Sequence, residues 1–179
     1  EVLSVKISTI YSQILPIARE HTLRQLCDRL ELLYREADHL RYRRGDGAEV
    51  PKFVYLDMEE YRDLSLTADA FQRTLDRPGL ERVRAGIALQ AYVPDSFTVQ
   101  RRIVDWARRR VASGGSPVTV RIVKGANMEM ERIDAALHDW PQAPLRTKLE
   151  TDANYKRMLR YALEPEHLAA VHVGIASHN

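Results

Sequence analysis

The sequence predicts an α/β protein, a (β/α)8 TIM-type barrel that is incomplete in this chain, with about five βα units present and the remaining strands missing. Short β-branched, apolar runs at Val2–Ser8, Phe53–Asp57, Gly86–Tyr92, Val118–Lys124 and Val171–Ala176 alternate with longer segments of helical spacing. That rhythm is the pattern of parallel strands joined by helical crossovers. Polar residues close nearly every run: Lys6 and Ser8, Asp57 and Glu59, Gln90, Arg121 and Lys124, Ser177 to Asn179. In a barrel these strand ends converge on one mouth. An open dinucleotide-binding sheet would instead carry G-x-G-x-x-G after its first strand, and this chain has none.

Taken in order, the first apolar run leads to a helix carrying Leu23, Leu26, Leu30, Leu33 and Leu40, with Thr22 and Gln25 expected to cap it. Arg41 to Lys52, with Gly45, Asp46, Gly47 and Pro51, reads as a loop into the second strand. Asp95 or Ser96 is expected to cap a helix that buries Val99, Ile103, Trp106 and Val111, which Gly114-Gly115 ends. Asp152 is expected to cap the helix of Tyr155, Met158, Leu159 and Ala162. The runs are near-continuously apolar, which suits a sheet covered on both faces.

Composition excludes several classes. Lys and Arg number 27 against 25 Asp and Glu, too small an excess to point to nucleic acid. The basic clusters Arg108–Arg110 and Arg41, Arg43, Arg44 read as solvated surface. A lone cysteine, Cys27, sits in a leucine-rich run and fits a small buried residue of a cytosolic protein. The six histidines are scattered, so no metal site is expected. Apolar residues make up 45%, enough for a core, yet no run approaches a membrane span of about 20 residues. The chain of 179 residues starts on Glu1 rather than Met and is shorter than the roughly 250 of a whole barrel. Both ends are therefore expected to be cut from a longer polypeptide.

The segment Val118 to Ala126 carries the most chemistry. Arg121 alternates with Val120 and Ile122, so it should point into the barrel, where a fixed charge needs an anion or an electron-rich ligand. An internal salt bridge to Asp57, with Lys124 solvated, is the plainer reading of the same spacing. Gly125 allows close backbone approach. Gln90 offers an amide suited to a ring edge of alternating donors and acceptors, or a simple bond to a neighbouring strand. Glu60 reads as the acidic start of the next helix. His178 is either a phosphate binder or an ordinary loop residue.

The chain resembles the proline dehydrogenase domain of the bifunctional proline utilisation A flavoenzymes, closest to their actinobacterial branch. The matching blocks are Ser4-Val-Lys-Ile-Ser8, Leu56-Asp-Met-Glu-Glu60, Leu89-Gln-Ala-Tyr92, Val120 to Ala126, Thr147-Lys148 with Thr151-Asp-Ala-Asn-Tyr155, and Ala176-Ser-His-Asn179. They span the chain in the family's order, so residues 1–179 are expected to be the central portion of that barrel. The resemblance implies FAD as cofactor and oxidation of L-proline to Δ1-pyrroline-5-carboxylate, with electrons passed to a membrane quinone. It implies that Arg121, Asp57 and Lys6 serve catalysis, with Lys6 near the proline carboxylate and Asp57 facing the substrate. Gln90, Arg121, Val123, Lys124, Gly125, Ala126, Ser177, His178 and Asn179 would contact FAD, Lys124 at its pyrophosphate. It further implies a cytoplasmic enzyme with peripheral membrane contact and an aldehyde dehydrogenase module in the same natural polypeptide.

Two departures qualify the match. Asn127 and Met128 stand where relatives often carry an aromatic pair, so the packing of substrate and adenosine there is not carried over. The family's last strands and final helix, which clamp proline, would lie beyond Asn179, and its first strand before Glu1; the segment by itself is expected to be inactive. Two other readings are kept: a barrel aldolase forming a Schiff base on Lys124, and a non-catalytic binding or scaffold barrel.

Overall fold

A computed structural model of the chain describes residues 2–176. In chain order the elements are β1 (Val2–Lys6), a helical turn α1 (Ile7–Ile10), α2 (Arg19–His39), β2 (Arg41–Arg43), β3 (Glu49–Pro51), β4 (Phe53–Asp57) and α3 (Leu64–Leu75). They continue with β5 (Ala85–Gln90), α4 (Asp95–Ala112), β6 (Val118–Val123), α5 (Met128–Leu137), α6 (Lys148–Ala162), a short α7 (Pro165–Leu168) and β7 (Val171–Ile175).

β1, β4, β5, β6 and β7 form one five-stranded sheet in that order, and each adjacent pair is parallel. The order never reverses, whereas an open doubly wound sheet reverses at its switch point. With crossovers of one hand, an unreversed order sends every helix to the same face, as in a barrel wall. Burial agrees. Val54, Leu56, Ile87, Leu89, Val118, Val120 and Ile122 join a core with Leu23, Leu26, Leu30, Phe71, Ile103 and Val104 of the helices. On the other face Tyr55, Asp57, Thr119, Arg121 and Val123 are only half-buried. The expected cover on both faces therefore holds for β5, buried throughout, but β4 and β6 alternate. The sheet is five strands of a (β/α)8 barrel wall, with β1 and β7 at its two edges.

Several expected boundaries shift, each for a local reason. α2 starts at Arg19 behind a 3-10 turn, so Thr22 lies inside the helix and is buried rather than capping it. α4 is entered through Pro94, and Asp95 spends its carboxylate on the Tyr61 hydroxyl (2.8 Å). α6 is capped by Thr147 and Glu150, a reciprocal capping box, which leaves Asp152 inside the helix. Residues 41–51 are a small antiparallel hairpin instead of a loop, closed at Gly47 with φ of 85°. The first apolar run ends as strand at Lys6, and Ser8 belongs to α1.

Arg110 also departs from expectation. It is not solvated surface but 8% exposed. Its guanidinium donates to the carbonyls of Ser116 (3.1 Å), Leu75 (2.5 Å), Leu80 (2.6 Å) and Val83 (3.3 Å). A buried charge is tolerable only with such full hydrogen bonding. Burial holds its pKa below the usual arginine value. The arginine pins the end of α4 to the α3–β5 connection, at the sheet end opposite the expected mouth.

Candidate active site

Strand register assembles the site. Lys6 pairs with Asp57, Ala88 with Arg121, Gln90 with Val123, and Arg121 with Gly174. Because the strands are parallel, Lys6, Asp57, Gln90, Arg121 and Val123 share the C-terminal end of the sheet. Asp57, Gln90 and Arg121 alternate with core-facing Leu56, Leu89 and Ile122, so they stand on the face away from the helices.

Two groups form there. In the first, Asp57 accepts hydrogen bonds from Ser4 and from Arg121 Nη2. The salt bridge admitted from spacing is thus present. Of its other donors, Arg121 Nε is buried with no hydrogen-bond partner among the described residues. Arg121 Cζ also lies 4.9 Å from the centre of the Tyr55 ring. Burial raises the Tyr55 phenol, with Arg121 acting against it. Lys6 meets Glu59 at 3.2 Å, and Ser8 donates to the same carboxylate. Asn127 Nδ2 donates to the Glu59 carbonyl (3.0 Å), tying the loop after β6 to the loop after β4.

The second group surrounds Lys124. Its ammonium lies 2.8 Å from Asp152 and 5.9 Å from the Tyr155 ring centre. That close ion pair holds the Asp152 carboxyl below the usual carboxylate range. Gly125 has φ of 129°, and a Cβ there would lie 1.8 Å from Tyr92 Cδ1. Its missing side chain is filled on that side by Tyr92, not by an open approach. Gly125 and Ala126 are exposed. Gln90, 6% exposed, donates to the carbonyl of Met58 (3.2 Å), just past β4. Tyr155 donates to the Ala176 carbonyl (3.1 Å). Ser177, His178 and Asn179 lie outside the described residues.

Sequence reasoning missed Ser4, Tyr55, Asp152 and Tyr155 as members of this end. Ser4 and Tyr55 are paired in register, a signal present as the alternate positions of two strands but unreadable until the strands are paired. Thr147-x-x-Glu150 was a legible cap that would have released Asp152 for another role. Among the described residues, Glu164, Glu166 and His167 could together hold a metal ion. They precede β7 and so lie away from the mouth.

The family model for proline dehydrogenase matches residues 1–179. The chain belongs to the proline dehydrogenase family. Among solved structures, the chain is similar to proline utilization A (PutA) from Corynebacterium freiburgense, at 44% identity and a TM-score of 0.88 over 98% of this chain. PutA from Bdellovibrio bacteriovorus, in a structure inactivated by N-propargylglycine, is 34% identical with a TM-score of 0.85, again over 98%. A Bradyrhizobium japonicum PutA mutant is 26% identical with a TM-score of 0.79 over 99%. The chain spans 17% of the length of each of these three. A comparison with curated proteins found no match. The match does not favour the aldolase and scaffold readings, and Lys124 is ion-paired to Asp152 instead of desolvated as a Schiff-base lysine requires. No helix among the described residues is long and apolar enough to cross a membrane.

Proposed function

We propose that this chain forms the central wall and mouth of a barrel that binds FAD and oxidises L-proline to Δ1-pyrroline-5-carboxylate. The observation that carries the reading is Arg121: a guanidinium clamped at the strand ends by Asp57, with one buried N–H left for a ligand acceptor. A buried donor without a partner is uncommon and calls for an acceptor from outside the chain. A flavin ring, edged with carbonyl and imine acceptors, meets that need, so the residues present fit the group.

FAD, when bound, supplies the hydride acceptor for the carbon beside the proline nitrogen. Arg121 contributes a permanent positive charge whose position is set before reaction, favouring electron density arriving near it. Lys124, anchored by Asp152, places a second cation for pyrophosphate charge, and Val123, Gly125 and Ala126 line the same end. Gln90 holds the ring edge with its side-chain amide. Lys6 offers an ammonium to the proline carboxylate, exchanging Glu59 for it, and Asp57 orients Arg121 while facing the substrate. The carried-over roles of Ser177, His178 and Asn179 at the cofactor belong to the same proposal. So do transfer of electrons to a quinone, peripheral contact with a membrane in a cytoplasmic setting, and an aldehyde dehydrogenase module in the natural polypeptide.

The test compares the product of the complete open reading frame with residues 1–179 alone. After purification, flavin absorbance is measured, then its bleaching by proline and turnover with a dye acceptor. The complete protein should carry FAD and reduce it with proline. Residues 1–179 alone should do neither, because β1 and β7 leave sheet edges open. No reduction by the complete protein would sink the activity. Stoichiometric FAD and turnover in residues 1–179 would sink the need for further strands.

A further inference from the structure

Arg121 and Asp57 are not on neighbouring strands; β5 runs between them. The guanidinium crosses β5 at Ala88, the residue paired with Arg121, where only a methyl group stands in its way. One step back along the same face of β5 comes Gly86. Tyr55 fills the space there: a Cβ on Gly86 would lie 2.3 Å from its ring. Gly86 and Ala88 thus make a trough across β5 in which the Tyr55 ring and the Arg121 guanidinium lie together, 4.9 Å from ring centre to Cζ. Phe53 braces the ring edge-on at 4.9 Å and 62°. On the other flank Gly174 keeps room for the arginine stem, since a Cβ there would lie 3.2 Å from Arg121 Cβ and Cγ.

We propose that Tyr55 is a positioning residue for Arg121, its ring face holding the guanidinium in one pose at the mouth without consuming any of its N–H donors. The role rests on the FAD reading above. A second carboxylate could restrain the arginine equally well, but it would occupy donors that the flavin needs. An aromatic face attracts the cation and leaves every N–H free. Asp57 takes one donor, Tyr55 takes none, and Nε remains unpartnered.

The test uses the complete open-reading-frame product, with Tyr55→Leu, Tyr55→Phe, Arg121→Met and the Tyr55→Leu/Arg121→Met double variant. FAD dissociation constants come from flavin fluorescence, melting temperatures from the apoprotein, and kcat and KM from proline titrations. Tyr55→Leu should weaken FAD roughly 3- to 10-fold and lower kcat by a similar factor, with KM for proline nearly unmoved. Tyr55→Phe, which keeps the ring, should restore most of the loss. In the Arg121→Met background Tyr55→Leu should add nothing to the FAD constant, and the apoprotein melting losses should be less than additive. Losses that multiply in both backgrounds, or a Tyr55→Phe as damaging as Tyr55→Leu, would overturn the proposal. A parent protein that binds no FAD would instead sink the reading beneath it.

Discussion

Two arginines, one at each end of the sheet, are held in opposite ways. Arg110 is 8% exposed and donates to four carbonyls, with no carboxylate paired to it among the described residues. Arg121, with its side chain 31% exposed, has a carboxylate, an aromatic face and a buried Nε–H that no group among the described residues meets. Four hydrogen bonds of the first are directed at stabilising a helix–strand junction. The second is restrained but unfinished. In a barrel that division is expected, since the N-terminal end of the sheet carries stability and the C-terminal end carries chemistry. Counting satisfied donors separates the two roles where residue type and charge do not.

The comparison breaks most visibly if the two arginines respond alike. Arg110→Met should destabilise the protein by about 3–5 kcal/mol in urea unfolding, because buried carbonyls lose their partner. Whatever folds should keep its FAD affinity. Arg121→Met should lose less stability than Arg110→Met, but flavin reduction by proline should slow about 10²- to 10³-fold, the scale for removing one preorganised charge or donor. Stopped-flow bleaching of the flavin measures it, and an unchanged rate would erase the contrast.

A smaller effect sharpens the second region. Gly125→Ala adds a methyl where φ is 129° and the Tyr92 ring already sits. It should lower stability by about 1–3 kcal/mol in the same urea assay and loosen FAD with it. The smallest concerns acid. Asp152 has a folded-state pKa below its unfolded value because Lys124 is ion-paired to it. Its contribution is therefore present above the unfolded value, about 3.9, and is lost as pH falls through the depressed folded one. Lys124→Met should remove that pH dependence, so the gap in melting temperature between variant and parent should narrow as the pH is lowered through this window. A constant gap would show the pair to be inert.

Much of this was legible in residue order. Strand–helix alternation and polar strand ends are local patterns, written by side-chain period and by which residues tolerate a mouth; they were enough for the barrel and for placing Lys6, Asp57, Gln90, Arg121 and Lys124 at one end. Matching motifs carried the family. Helix starts were read less well: Thr22, Asp95 and Asp152 looked like caps, but a cap is decided by where the first turn of backbone closes, and Ala18, Pro94 and Thr147 stand there instead.

What only the tertiary structure decided is partnership across strands. Arg108, Arg109 and Arg110 are one basic run in sequence, yet the third alone turns inward, because the carbonyls of Leu75, Leu80 and Val83 converge there. Likewise no local pattern says that Arg121 passes over Ala88 to Asp57 or rests on Tyr55. Those facts depend on the register of three strands far apart in the chain. Periodicity sets which way a side chain faces, but the neighbour it faces is chosen by the chain's return.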